Sequence, residues 1–258
     1  AGVGSAVAAL KIITRLYGGF AGTETLREER NSTAYPTIID GEGTRRCITA
    51  NSLAVIDGFT VQNGAADLGG GVSGGVVSNC TFVNNTATDK GGGFHGGTAV
   101  NCLFTGNTAP AGGGIADGVA MSCTLAGNTA DIGGAISHGT VVNSILWGNG
   151  GSDVDTANVS YSCLPLALSG IGNIVADPRF VTTAAGNYQL QANSPCIDTG
   201  TTENAPLTDM LGITRPQHTG IDMGAYEYAG ALPEGEGEVV VEGEIPAEGE
   251  GEVIIEGE

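Results

Sequence analysis

The sequence predicts an all-β chain wound as a right-handed parallel β-helix, a solenoid of 21–22 residues per coil. Four repeating signals in one register and one absence predict it. Asn79-Cys80-Thr81-Phe82 returns as Asn101-Cys102-Leu103-Phe104, then Ser122-Cys123-Thr124-Leu125, then Asn143-Ser144-Ile145-Leu146, at steps of 22, 21 and 21 residues. Glycine clusters keep the same beat at Gly69, Gly91, Gly112 and Gly133, as do Asn85, Asn107, Asn128 and Asn149 and the column Val72, Phe94, Ile115, Ile136. No helix-forming stretch interrupts them, and glycine triplets would cost a helix about 1 kcal/mol per residue.

At about 3.3 Å per residue a coil of this length traces roughly 70 Å, enough for three short strands and their turns, and coils stack about 4.8 Å apart. Equivalent residues then form ladders. The inward ladders are Phe59, Cys80, Cys102, Cys123, Ser144 and, two residues on, Val61, Phe82, Phe104, Leu125, Leu146. Between them Thr60, Thr81, Leu103, Thr124 and Ile145 point outward by the strand's period of two. The glycines fit turns that need positive φ or close coil-to-coil approach. Residues 1–165 are assigned to the β-helix, with regular coils over 58–150. Residues 166–230 lose the period, gain proline and are expected to cap the last coil, because an open solenoid end exposes core and strand edges. Residues 231–258 form an acidic tail.

Glycine supplies 45 of the 258 residues, without the every-third spacing of collagen, and the 41% hydrophobic content is too high for a disordered chain. Acidic residues outnumber basic ones 28 to 9, for a net charge of −19. That argues against nucleic acid and anionic membrane surfaces as partners, and no apolar run of about 18 residues predicts membrane insertion. Six cysteines without a C-x-x-C pair do not make a disulfide scaffold. The chain opens on Ala1 rather than Met, which reads as a processed or trimmed chain.

Tyr17-Gly18-Gly19-Phe20-Ala21-Gly22-Thr23-Glu24-Thr25, Asp57-Gly58-Phe59-Thr60-Val61 and the Asn-Cys-Thr-Phe coils resemble bacterial secreted parallel β-helix proteins. Asn193-Ser194-Pro195-Cys196-Ile197-Asp198-Thr199-Gly200, with Arg215-Pro216 and Ile221-Asp222-Met223-Gly224-Ala225-Tyr226-Glu227, resembles the "choice-of-anchor Q" region that ends many of them. The resemblance covers roughly residues 16–228 and implies export and display at the bacterial cell surface, with no common activity. Coils that usually precede the Tyr-Gly-Gly-Phe motif are missing or reduced to residues 1–16.

Candidate chemistry is sparse. Asp67, Asp89 and Asp131 precede glycine clusters, and stacked Asp67 and Asp89 are calcium candidates; the alternative is turn aspartates capping backbone N–H groups. A polysaccharide lyase would also need a cationic base, and between Cys47 and Tyr161 only Lys90 is available. His95 and His138 lie two coils apart and out of column, which argues against a shared metal. Cys80, Cys102 and Cys123 read as buried packing, and a Cys163–Cys196 pairing is open. Asn31, Asn79, Asn84 and Asn158 begin glycosylation sequons.

The tail repeats Glu-Gly-Glu-Gly-Glu, an aliphatic triplet and Glu-Gly-Glu from Glu234 and again from Glu248. As a strand each unit sets glutamates on one face. Val239 and Val241 lie on the other face of the first unit, Val253 and Ile255 on that of the second. A solvated linker is one reading; strand addition to a neighbouring copy through Val239, Val240, Val241, Val253, Ile254 and Ile255 is the other. The expected function is a non-enzymatic extracellular structural protein that self-associates into a fibre through this tail, without a cofactor. The alternatives are a polysaccharide-binding or polysaccharide-cleaving β-helix and a monomeric surface adhesin on a stalk.

Overall fold

The computed structural model describes residues 6–10 and 14–232, and over them the chain is an all-β solenoid of stacked parallel strands. One side is an eight-stranded parallel sheet that takes a strand from each successive coil, from Thr37–Asp40 through Thr81–Val83, Leu103–Thr105, Thr124–Ala126 and Ile145–Trp147 to Ile174–Val175. Its register pairs Val61, Phe82, Phe104, Leu125 and Leu146 in line. A second sheet of eleven strands begins as two short strands per coil, such as Phe94–His95 and Thr98–Val100. These merge into single strands at Ile115–Met121, Ile136–Val142 and Val154–Ser160. The third side pairs Ala65–Leu68 with Thr86–Lys90 and continues as isolated bridges through Thr108 and Thr129 to Gly150.

On that third side Thr86–Lys90 carries one residue more than either neighbour. Thr86 pairs with Ala65 and Thr108, and Lys90 with Leu68 and Ala111. The extra residue makes a β-bulge. It also accounts for the one 22-residue step among the Asn-Cys-Thr-Phe blocks.

Both inward ladders are buried, with Phe59 at 6% exposure and the others at zero. Phe82 and Phe104 stack face to face with centroids 4.4 Å apart. The thiols of Cys80, Cys102 and Cys123 each donate to the carbonyl two residues back, at 3.1–3.3 Å. The hydroxyls of Ser144 and Ser162 continue the column with the same bond at 2.8 Å. Burial pushes the Cys102 thiol well above its ordinary range, which keeps it unreactive.

The coil turns at columns of left-handed residues. Gly69, Gly91, Gly112 and Gly133 form one such column, where glycine relieves the Cβ clash. Asparagine, tolerant of this region, fills much of another at Asn79, Asn101 and Asn143. Asp117 and His138, of types also enriched there, stand in a third column with Thr156, and Ser122, Tyr161 and Thr156 take φ of 46–49° without such tolerance.

Asn85, Asn107, Asn128 and Asn149 do more than turn the chain. Their side chains lie inside, three of them with no exposed surface. Each Nδ2 of Asn85, Asn107 and Asn128 donates to the next asparagine's Oδ1, at 2.8–3.0 Å, and to a carbonyl of the preceding coil, at 2.9–3.0 Å. The same Oδ1 accepts the neighbouring backbone N–H. Asn149 ends the run on the Asp153 carboxylate at 2.6 Å, and burial raises the pKa of Asp153.

The C-terminal region adds Ile174–Val175 as a last rung and then folds back along the side of the solenoid, a wider role than capping the final coil. Leu103, Thr124 and Ile145 do face away from the interior, as the alternation requires, yet they are buried. Phe180, Tyr188, Leu190, Cys196, Ile197 and Met223 share a second core with Leu103, Ile145 and Cys163. Ala225 N–H donates to Thr124 Oγ1 at 3.1 Å, and Gly224 N–H to the Asn143 carbonyl at 2.8 Å.

This irregular segment is held by buried polar groups. Arg215 Nη1 meets Glu227 Oε2 at 2.9 Å with both side chains almost fully shielded; Nη1 also donates to the Asp222 carbonyl and Nη2 to the Gly224 carbonyl. Asp209 and Asp222 accept backbone N–H groups from residues 211, 213 and 227 and from 198 and 228 respectively. Desolvation outweighs those bonds at Asp222 and lifts its pKa to about 6; burial also raises Glu227.

Two outcomes are expected. Asn128→Ala strands at least two buried polar groups and lowers stability by roughly 3 kcal/mol or more, read as a lower urea midpoint by circular dichroism, whereas Thr86→Ala on the exposed side changes it little. The carboxyl ¹³C resonance of Asp222 titrates near pH 6. An unfolded aspartate loses its proton near pH 4, so the stability this group contributes is present below about 4 and is lost as pH rises through about 6.

Candidate functional site

A groove lies between the N-terminal segment 17–33 and the C-terminal loop 208–212. Its main part holds about 570 Å³, and a smaller recess of about 200 Å³ over Gly58–Thr60 and Thr81 adjoins it through Asn79, Met210 and Leu211. The Tyr-Gly-Gly-Phe motif explains how the N-terminal wall is pressed onto the coils. A Cβ on Gly18 would lie 2.5 Å from the Gly58 carbonyl, and one on Gly19 2.7 Å from Ser32 N. Gly19 N–H donates to Thr37 Oγ1 at 3.0 Å, and Asn31 N–H to the Gly19 carbonyl at 2.7 Å. Glu24 then closes the turn by accepting from the N–H groups of Ala21 and Gly22.

Arg27 and Arg30 both lie over the Tyr17 ring, at 5.1 and 5.3 Å from its centroid. Arg30 is the inner one. Its Nη2 meets Asp57 Oδ1 at 2.6 Å, and Nη1 reaches the carbonyls of Gly18 and Asp57. Asp57 is further held by Ser78 Oγ at 2.8 Å and Asn79 Nδ2 at 3.2 Å. Asn101 Nδ2 ties Asn79 to the Thr208 carbonyl, at 3.4 and 2.6 Å, so coils and C-terminal loop share one polar seam. Arg27 is the outer one, exposed and bonded to the Tyr17 hydroxyl and Glu28, and the pairing with Glu28 raises its pKa. The groove offers an aromatic ring, an exposed guanidinium, hydroxyls and amides. Its central carboxylate is saturated by donors, a poor arrangement for an acid or base.

The residues singled out from sequence lie elsewhere. Asp67 accepts from Thr88 Oγ1 at 2.9 Å, and the bulge puts two residues, Thr88 and Asp89, opposite it instead of one aspartate stacked on another. Among the described residues no group of three His, Cys, Asp or Glu side chains could hold a metal. Lys90 and His95 both pair with Asp117, at 3.5 and 3.3 Å. Ser137, His138 and Asp155 carry the residue types of a hydrolytic triad, but Ser137 Oγ and Asp155 Oδ2 both approach His138 Nδ1, at 2.9 and 3.8 Å. Ser137 is fully buried, so the imidazole cannot relay a proton from it to a substrate. Of the sequon asparagines, Asn31, Asn84 and Asn158 are exposed, while the Asn79 amide is engaged in the groove. All six cysteines are free and buried. The tail residues Val239, Val240, Val241, Val253, Ile254 and Ile255 lie outside the described residues.

Residues 79–97 match the Chlamydia polymorphic membrane protein repeat. The match takes in most of one coil, from the Asn79 corner and Cys80 through Phe82 and Asn85 to the glycine run and Phe94. The chain is a β-helix repeat protein. No curated protein matches it. Sequence reasoning missed the groove, although Arg27 and Arg30 put two of the nine basic residues within four positions, a signal that could have marked it.

Proposed function

We propose that this chain is a non-enzymatic, adhesin-like β-solenoid displayed at a bacterial cell surface, and that the groove beside Tyr17 and Arg27 is its glycan-binding face. The observation that carries this reading is the division of labour in the groove. The part-buried carboxylate Asp57 is occupied as scaffold, while the exposed Arg27 guanidinium, laid over the Tyr17 ring, presents a flat cationic plane and its remaining N–H donors to sugar oxygens. The likeness of one coil to a repeat of polymorphic membrane proteins supports the surface location.

A second reading, in which the tail adds as strands to a neighbouring copy and builds a fibre, is favoured by the twin one-sided pattern of residues 234–244 and 248–258. Fibres lost on deleting residues 231–258 support it. A monomer of unchanged size after the same deletion removes it and leaves the groove reading intact.

The groove is tested on immobilised neutral and uronate-containing polysaccharides. Wild-type protein is expected to bind at least one without releasing new sugar ends, and Tyr17→Ala and Arg27→Ala to weaken binding about tenfold or more with an unchanged melting temperature. Equal binding by both variants, or time-dependent cleavage of the bound polysaccharide, would overturn the proposal.

A further inference from the structure

A second cavity, of about 650 Å³, opens where the C-terminal segment crosses the later coils, and it shares no lining residue with the groove beside Tyr17. Its floor is Ala126, Gly127 and Gly148. One wall is Trp147, and the other is the hairpin of Phe180–Thr182 and Asn187–Leu190. Tyr188 holds that hairpin in place: its ring meets Phe180 edge-on at 5.2 Å, and its hydroxyl bonds Thr105 Oγ1 at 3.0 Å. Thr105, Ala126 and Trp147 are successive rungs of one outward column. The anchor of Tyr188 and the residue bearing the indole are thus two rungs, about 10 Å, apart, with only the methyl of Ala126 between them.

The floor is kept open by the corner that follows this column. Its members are Asn63, Asn84, Gly106, Gly127 and Gly148, all with left-handed backbone. In the first two coils asparagine meets that conformation, at φ of 51° and 53°. Glycine takes its place in the later coils, although crowding does not call for it at the cavity: a Cβ on Gly148 would meet nothing within 4 Å, and one on Gly127 only Thr105 Oγ1, at 3.9 Å. What these two glycines preserve is space. The walls then supply an apolar face and a polar rim. Trp147 is half-buried, packed against the second core on one side and lining the cavity on another. Thr182 and Thr183 offer exposed hydroxyls, and Asp177 an exposed carboxylate whose Oδ1 accepts the Arg179 N–H at 2.8 Å. Among the described residues Asp177 is the only charged group in this lining, so the site disfavours an anion.

We propose that the cavity between Trp147 and the 180–190 hairpin binds a neutral sugar unit of a glycan chain. The volume lies within the range of about 300–1,000 Å³ that small-ligand sites occupy. A neutral sugar ring has one face of C–H groups and a rim of hydroxyls. The C–H face lies against the indole, whose π-surface carries partial negative charge. The hydroxyls donate to the Asp177 carboxylate in charge-assisted bonds and exchange hydrogen bonds with Thr182 and Thr183. The absence of a lining cation among the described residues sets this site apart from the Arg27 groove, where an exposed guanidinium is the principal donor.

Trp147 is the chain's single tryptophan, so its fluorescence reads this site directly. The full chain is titrated with cellohexaose, mannohexaose and N-acetylchitohexaose, and with hexagalacturonic acid and an uncharged peptide for comparison. At least one neutral oligosaccharide is expected to shift the emission saturably at millimolar concentration. Gly148→Asn, which places in the floor the residue that Asn63 and Asn84 carry at the same corner, abolishes the shift with an unchanged melting temperature. Asp177→Ala, on the exposed rim, weakens binding about tenfold and serves if the first variant fails to fold. No saturable shift with any of the three sugars, a shift retained by folded Gly148→Asn, or a stronger response to hexagalacturonic acid or the peptide would overturn the proposal. Since the readout is local to Trp147, such a failure leaves the groove beside Tyr17 and Arg27 untouched.

Discussion

The structure depends on polar groups being carried through an apolar tube without being left unpaired. A coil of about twenty residues cannot close on strands alone, and every corner turns backbone groups toward the interior. The column Asn85–Asn107–Asn128–Asn149 meets that need, since each amide bonds a carbonyl of the coil before and, up to Asn149, which ends on Asp153, the amide of the coil after. In a buried setting such a chain of bonds is strong when complete and costly when broken. It fixes the coil-to-coil register that sets the phenylalanine and cysteine ladders in line, and the outer face of those ladders is what the C-terminal segment packs on.

The columns were readable because a solenoid writes its structure as a period, and inward and outward positions of Phe82, Phe104 and Leu125 follow from strand alternation. The asparagine ladder was half legible. Its spacing was plain, but the alternation resets at a corner: Asn84 takes φ of 53°, and Asn85 after it points inward like Phe82. A rule of two carried through the corner misplaces it. The burial of the outward column also left a trace, since Thr60 and Thr81 give way to Leu103 and Ile145 where the C-terminal segment lies. The groove left almost none. Its walls come from residues 17–33 and 208–212, which belong to no repeat and meet only in three dimensions.

The C-terminal segment shows how a stretch with little regular structure holds one shape. Its apolar residues supply contact with the coils, and its conformation is set by Arg215, Asp209, Asp222 and Glu227, whose bonds go mainly to backbone groups. Buried ion pairs contribute little net stability but are costly to break. This cluster therefore acts as a specification of path more than as a source of binding energy, which suits a segment that must return along one flank and complete the wall of the groove.

The single extra residue at Thr88–Asp89 has a consequence for how such a molecule can change length. The two flanking coils close the same corner with one residue fewer, yet the ladders on the other two sides run through all three without a step. A chain-length difference is thus absorbed locally on the exposed third side. At this coil, then, a difference in chain length and the constancy of the tube's cross-section fall on different sides.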